Sequence, residues 1–124
     1  MPKDAVSFCT IHDLAAMVLS GTNKPLLHPS DAASLGLFDL KNNCYDKNAI
    51  EDLGLDYNMF PSVCSGFTLI GKTEDNIPVS VAVGDNQASF LGSVSNMQES
   101  LLVNVGTGSQ ISCLVDKIPE NSDL

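Results

Sequence analysis

Apolar positions recur at helical spacing in the first half of the chain and crowd into short runs in the second half. Leu14, Ala15, Met17, Val18 and Leu19 supply the apolar side of a first helix. Thr10-Ile11-His12-Asp13 opens that helix with the spacing of a capping box, with Asp in place of the usual Glu. Gly21 is placed to stop it in the left-handed conformation. The stretch from Thr22 to Ser34 is rich in Asn, Pro, Ser and Asp and is expected to be loop. Asp46 to Leu53 reads as a short second helix closed by Gly54. Asn58 to Gly66 carries Pro61 and little periodicity, which predicts another connection.

The later runs are β-like. Phe67 to Ile70 reads as a strand, and Pro78 to Val83 is a β-branched run that stops at Gly84-Asp85. Asp85 to Asn96 then has Ala88, Phe90 and Leu91 for one face of a helix. Leu101 to Val105 and Gln110 to Val115 flank Gly106-Thr107-Gly108 as the arms of a hairpin. Helices first, then strand, helix and hairpin, predict an α/β fold.

Gly66 to Thr73 matches the phosphate-loop pattern G-x-x-x-x-G-K-[ST] letter for letter. That chemistry needs a compact loop after a strand and a helix after the Lys. Here the middle residues are themselves strand-like, and Glu74, Asp75 and Pro78 follow where a helix would have to grow. The match is expected to be a coincidence.

Composition narrows the classes. At 124 residues the chain suffices for one modest domain, and 44% hydrophobic against 17% charged residues predicts folding. Fifteen acidic against six basic residues leave a net charge of −9, which excludes a nucleic-acid surface but not a nucleotide held by backbone N–H groups. The longest apolar run, Leu14 to Leu19, is far too short to span a bilayer, so no membrane partner is expected. No signal-peptide pattern opens the sequence, and a cytoplasmic location follows as the expectation. Cys9, Cys44, Cys64 and Cys113 form no C-x-x-C pair and share no ligand spacing with His12 or His28. They read as reduced thiols, most of them in or near the core, and no metal site is expected.

Two places could carry chemistry. Asp85 follows a buried-looking strand and starts a helix, whose N-terminus favours an ionised carboxylate able to accept a proton from a hydroxyl. A plain helix cap is the stronger local reading, and the two roles are compatible. Gly106-Thr107-Gly108-Ser109 offers close backbone approach to an anion and two hydroxyl donors, with an ordinary tight turn as its alternative.

The run Val81-Ala82-Val83-Gly84-Asp85-Asn86-Gln87-Ala88-Ser89, followed by Asn104-Val105-Gly106-Thr107-Gly108-Ser109, resembles the centre of the FGGY carbohydrate kinases. Cys9-Thr10-Ile11-His12-Asp13, Leu19-Ser20-Gly21 and Ser30 to Phe38 match the same family in the same order. Among its members, the kinases that act on sedoheptulose are the most similar. The resemblance implies a part of an actin-like, ribonuclease-H-like ATPase fold. Residues 1–98 would be the end of the first, sugar-side domain, and residues 99–124 the opening phosphate-binding hairpin of the second. It implies Asp85 as the base for the attacking sugar hydroxyl, with Asn86 and Gln87 at the sugar and Asn86 the more direct contact. Gly106, Thr107 and Gly108 would hold the phosphates of ATP, Mg²⁺ would accompany the nucleotide, and Ser30 to Ser34 would lie near the cleft.

The family's opening Asp-Gly-Thr hairpin, its early sugar-gripping residues and its Gly-rich adenosine site have no counterpart here. The chain is therefore expected to be a fragment, inactive by itself and prone to self-association as a homo-oligomer through uncovered apolar surface. The expected ligands of the parent are a small sugar and ATP. A non-catalytic actin-like module that binds a nucleotide or a partner protein is the alternative, followed by a plain α/β interaction domain.

Overall fold

A computed structural model describes residues 4–117 of the chain as two compact units that divide between Gly84 and Asp85. Helices and short strands alternate along it. Among the described residues no helix is long and apolar enough to cross a membrane.

The first unit opens on the predicted helix. Thr10 caps α1 (Ile11–Ser20) reciprocally: its hydroxyl accepts the Asp13 N–H, and the Asp13 carboxylate accepts the Thr10 N–H. Gly21, at φ 68°, ends the helix in the left-handed conformation. The buried face is not the expected one. Asp13 and Ala16 are buried, whereas Leu14, Val18 and Leu19 are exposed, Val18 to 73%. Helix α1 instead meets the hairpin of β5 (Leu69–Lys72) and β6 (Pro78–Ser80). Burial pushes the Asp13 carboxyl above the usual carboxylate range; the Thr10 hydroxyl opposes the rise and the neighbouring Asp31 charge adds to it.

The segment expected as loop from Thr22 to Ser34 holds two elements, β1 (Leu26–Leu27) and α2 (Pro29–Ser34). The reason is local. Pro29 occupies the first helical turn, where its missing N–H costs nothing, and the His28 ring caps the helix by accepting the Ser30 N–H at 3.2 Å. A polar, Pro-containing stretch is also what a helix N-terminus looks like. The expected connection at 58–66 likewise contains β4 (Ser62–Val63), which pairs in parallel with β1.

Strands β2 (Phe38–Asp39) and β3 (Cys44–Tyr45) form an antiparallel hairpin. The predicted second helix is α3 (Lys47–Asp52), capped by Asp46, which accepts the Ala49 N–H at 3.0 Å. Leu27, Ala32, Tyr45 and Ile50, one from each of β1, α2, β3 and α3, form the core of this unit. The aromatic rings of Phe8, Phe38, Tyr45 and Phe60 meet edge to face around it.

The phosphate-loop lookalike is a hairpin arm. Its Leu69–Lys72 stretch forms β5, two residues later than the expected strand at Phe67 to Ile70, and Lys72 leads into a turn and then β6 rather than a helix. Gly71 has a packing reason to be glycine: a Cβ there would stand 2.7 Å from the Ser20 carbonyl oxygen and 2.9 Å from its Cβ. Gly71→Ala is expected to destabilise this unit by about 1–3 kcal/mol, through overpacking against the last turn of α1. Urea unfolding monitored by circular dichroism measures it, and an unchanged midpoint would refute the packing account.

All four cysteines are free thiols. Cys64 is buried and Cys9 half-buried, but Cys44 and Cys113 are exposed, so half of them rather than most lie in or near the core.

In the second unit, α4 runs Asp85–Ser93 with Phe90 buried, while Ala88 and Leu91 are exposed. Strands β7 (Leu101–Val105) and β8 (Ser109–Cys113) pair antiparallel, with Val105 opposite Ser109 and Leu101 opposite Cys113. The hairpin and its turn fall at Gly106-Thr107-Gly108, as the sequence predicts.

Candidate active site

Asp85 is the first residue of α4 and is exposed. Its Oδ1 accepts the Asn86 N–H at 2.8 Å, which satisfies one of the helix's leading donors. The strand before it is shorter than the β-branched run suggested. Strand β6 stops at Ser80, the Val81 N–H still bonds the Thr68 carbonyl at 2.8 Å, and residues 82–84 carry no regular structure. That strand is one arm of an antiparallel hairpin, not a member of a parallel sheet.

A side-chain tether holds the segment that follows the strand. The Gly84 N–H donates to Ser30 Oγ at 2.9 Å. Ser30 Oγ also lies 2.8 Å from His28 Nδ1, which accepts the Ser30 N–H as well. Nδ1 is therefore the accepting nitrogen, the Ser30 hydroxyl donates to it, and the ring proton sits on Nε2. The Val83–Gly84 peptide is thus held by an oriented hydroxyl, 54 residues away in sequence. The sequence placed Ser30 only in a general neighbourhood. A His-Pro-Ser run at a helix start was the available signal for it.

Asn86 and Gln87 follow Asp85 in the first turn of α4, both exposed. The Asn86 Oδ1 accepts from Gln110 Nε2 at 2.8 Å. This bond joins the first turn of the helix to β8, one residue past Ser109. Gln87 makes no such link among the described residues.

Gly106, Thr107 and Gly108 form the exposed turn, closed by the Gly106 N–H bonding the Gly108 carbonyl at 3.0 Å. Neither glycine has a positive φ. A Cβ on Gly108 would meet nothing within 4 Å, and one on Gly106 only the Gly108 oxygen at 3.7 Å. Neither backbone conformation nor packing within the chain demands glycine at these positions. What glycine does provide is unobstructed backbone facing outward, beside the Thr107 and Ser109 hydroxyls. That donor set suits an oxyanion.

No protein-family model matches the chain. It is 28% identical over 110 residues to human sedoheptulokinase, covering 83% of this chain and 23% of that protein. Glycerol kinase 1 of Lactiplantibacillus plantarum is 26% identical over 127 positions, spanning 98% of the chain and 25% of its own length. A glycerol kinase of Streptococcus pyogenes is 31% identical over 88 residues, 66% of the chain and 17% of that kinase. The chain thus spans about a quarter of the length of the curated relatives it matches. Over that span it is a homologue of the FGGY-type sugar kinases, sedoheptulokinase and glycerol kinase among them.

Proposed function

We propose that these residues form the central part of an ATP-dependent sugar kinase of actin-like fold. It transfers the γ-phosphate of ATP to a hydroxyl of a ketose, with sedoheptulose the favoured sugar. Residues 1–98 belong to the sugar-side domain and 99–124 open the phosphate-binding one. The reading is carried by the Asn86–Gln110 hydrogen bond, which ties the start of α4 to β8, the strand that follows the glycine turn, in a chain homologous to such kinases.

The chemistry assigns each residue a task. The sugar hydroxyl oxygen attacks the γ-phosphorus, the bond to the β-phosphate oxygen breaks, ADP departs, and the hydroxyl proton passes to the Asp85 carboxylate. Asn86, and beside it Gln87, hydrogen-bond the sugar. Gly106, Thr107 and Gly108 bring backbone and hydroxyl donors to the phosphates. Mg²⁺ arriving with the nucleotide supplies neutralisation of the phosphate charge. The Ser30 hydroxyl holds the Val83–Gly84 peptide at the end of the first unit.

The test follows ADP release with Mg-ATP over ketoses and polyols, including sedoheptulose and glycerol, in the longest reading frame that contains these residues. Sugar-dependent release with sedoheptulose ahead of glycerol is the expected result, and none from the 124 residues alone. A frame that binds ATP yet releases no ADP with any sugar tested would instead fit a non-catalytic nucleotide-binding module.

A further inference from the structure

The first unit buries two carboxylates that the kinase reading leaves unused. Asp13, in the first turn of α1, is 2% exposed, and Asp31, in the first turn of α2, is fully buried. His12 Nε2 stands 2.6 Å from Asp31 Oδ1, and the Thr10 hydroxyl and N–H serve Asp13 Oδ2. The other oxygen of each acid, Asp13 Oδ1 and Asp31 Oδ2, is buried with no hydrogen-bond partner among the described residues. Each of the three side chains offers a donor atom, and these lie within 4.8 Å of one another.

Two buried carboxylates side by side are costly unless a positive charge faces them, because burial strips their hydration and they repel. One imidazole on one oxygen of Asp31 leaves two orphan oxygens uncompensated. We infer that His12, Asp13 and Asp31 bind a divalent transition-metal ion of the Zn²⁺ class. The donor set sets the class, since Mg²⁺ and Ca²⁺ favour oxygen-only ligands whereas an imidazole nitrogen with carboxylates suits Zn²⁺, Mn²⁺ or Co²⁺. A tetrahedral ion holds its ligand atoms about 3.3 Å apart. The ion would part the 2.6 Å His12–Asp31 contact and draw in the orphan oxygens. Two protein carboxylates and one imidazole leave a coordination position for water, and the His12 side chain, 41% exposed, provides the way in.

The site was invisible in the sequence because Asp31 lies far along the chain from His12 and Asp13, beyond any short ligand spacing. Its proposal is independent of the kinase reading. Its test titrates the 124-residue chain, freed of metal, with Zn²⁺ and with Co²⁺, following heat of binding, Co²⁺ visible absorption and thermal unfolding. One equivalent should bind. At metal about a hundred times Kd the unfolding midpoint should rise on the order of 10 °C, and Mg²⁺ should produce no rise. His12→Gln, at the half-exposed ligand, keeps the buried acids in place and should weaken Zn²⁺ binding at least tenfold. Asp31→Asn should abolish it. Absence of binding by the folded chain would show that protons alone neutralise the pair, and undiminished binding by His12→Gln would place the ion elsewhere; either overturns the site.

Discussion

In the longest reading frame that contains these residues, Asp85→Asn is expected to lower sugar-dependent ADP release by about 10²–10⁴-fold, the range typical of a lost general base. The substitution is unusually clean at this position. Asn retains a carbonyl oxygen that can accept the Asn86 N–H, so the first turn of α4 keeps its bond. Asp85 is exposed, so removal of its charge leaves no buried partner stranded. What the amide lacks is the basicity to take the sugar hydroxyl's proton. A variant with wild-type circular dichroism, wild-type ATP affinity and collapsed turnover would establish the role. A folded variant with unchanged turnover would reduce Asp85 to a residue that starts a helix.

Leu27→Ala is expected to cost about 2–5 kcal/mol, the range for truncating a buried leucine when the surroundings cannot close the cavity. Leu27 is 0% exposed and sits in the core with Ala32, Tyr45 and Ile50. It is also half of the two-residue strand β1, and its carbonyl accepts the Cys64 N–H at 2.9 Å. The backbone bond survives the substitution, while the side chain that knits β1 to α2, β3 and α3 does not. Against a typical domain stability of about 5–15 kcal/mol, that loss is large. Val18→Ala, at a position 73% exposed, should move the urea midpoint hardly at all. Comparable losses at both positions would mean that the expected apolar side of α1, rather than the Leu27 cluster, holds the unit together.

That contrast shows where sequence patterning stops. Leu14, Val18 and Leu19 have the spacing of a buried stripe, yet Asp13 and Ala16 are the side chains that α1 buries. Periodicity reports which side of a helix can be covered, and only a neighbour determines which side is. Here the neighbour is the β5–β6 hairpin, and Gly71 admits the helix end so closely that a Cβ there would clash with Ser20. The exposed apolar residues of β7 and β8, Leu101, Val103, Val105 and Ile111, show the same limit. Register puts these four on one face of a two-stranded ribbon, and a ribbon alone has no second layer to bury them.

Local chemistry was legible from the residues themselves. The capping box at Thr10–Asp13, the left-handed stops at Gly21 and Gly54, the helix after Asp46 and the hairpin around Gly106–Gly108 each depend on a few adjacent residues. Their energetics close within one turn, so spacing sufficed to find them. The same locality excluded the phosphate-loop lookalike, because a strand cannot also be the loop its glycines would need. By contrast, the β1–β4 pairing, the Ser30–Gly84 tether, the Asn86–Gln110 bond and the meeting of His12 and Asp13 with Asp31 join residues that no short window contains. Their formation waits on the packing of the Leu27 cluster and on the register of two hairpins, and that packing is a property of the folded chain as a whole.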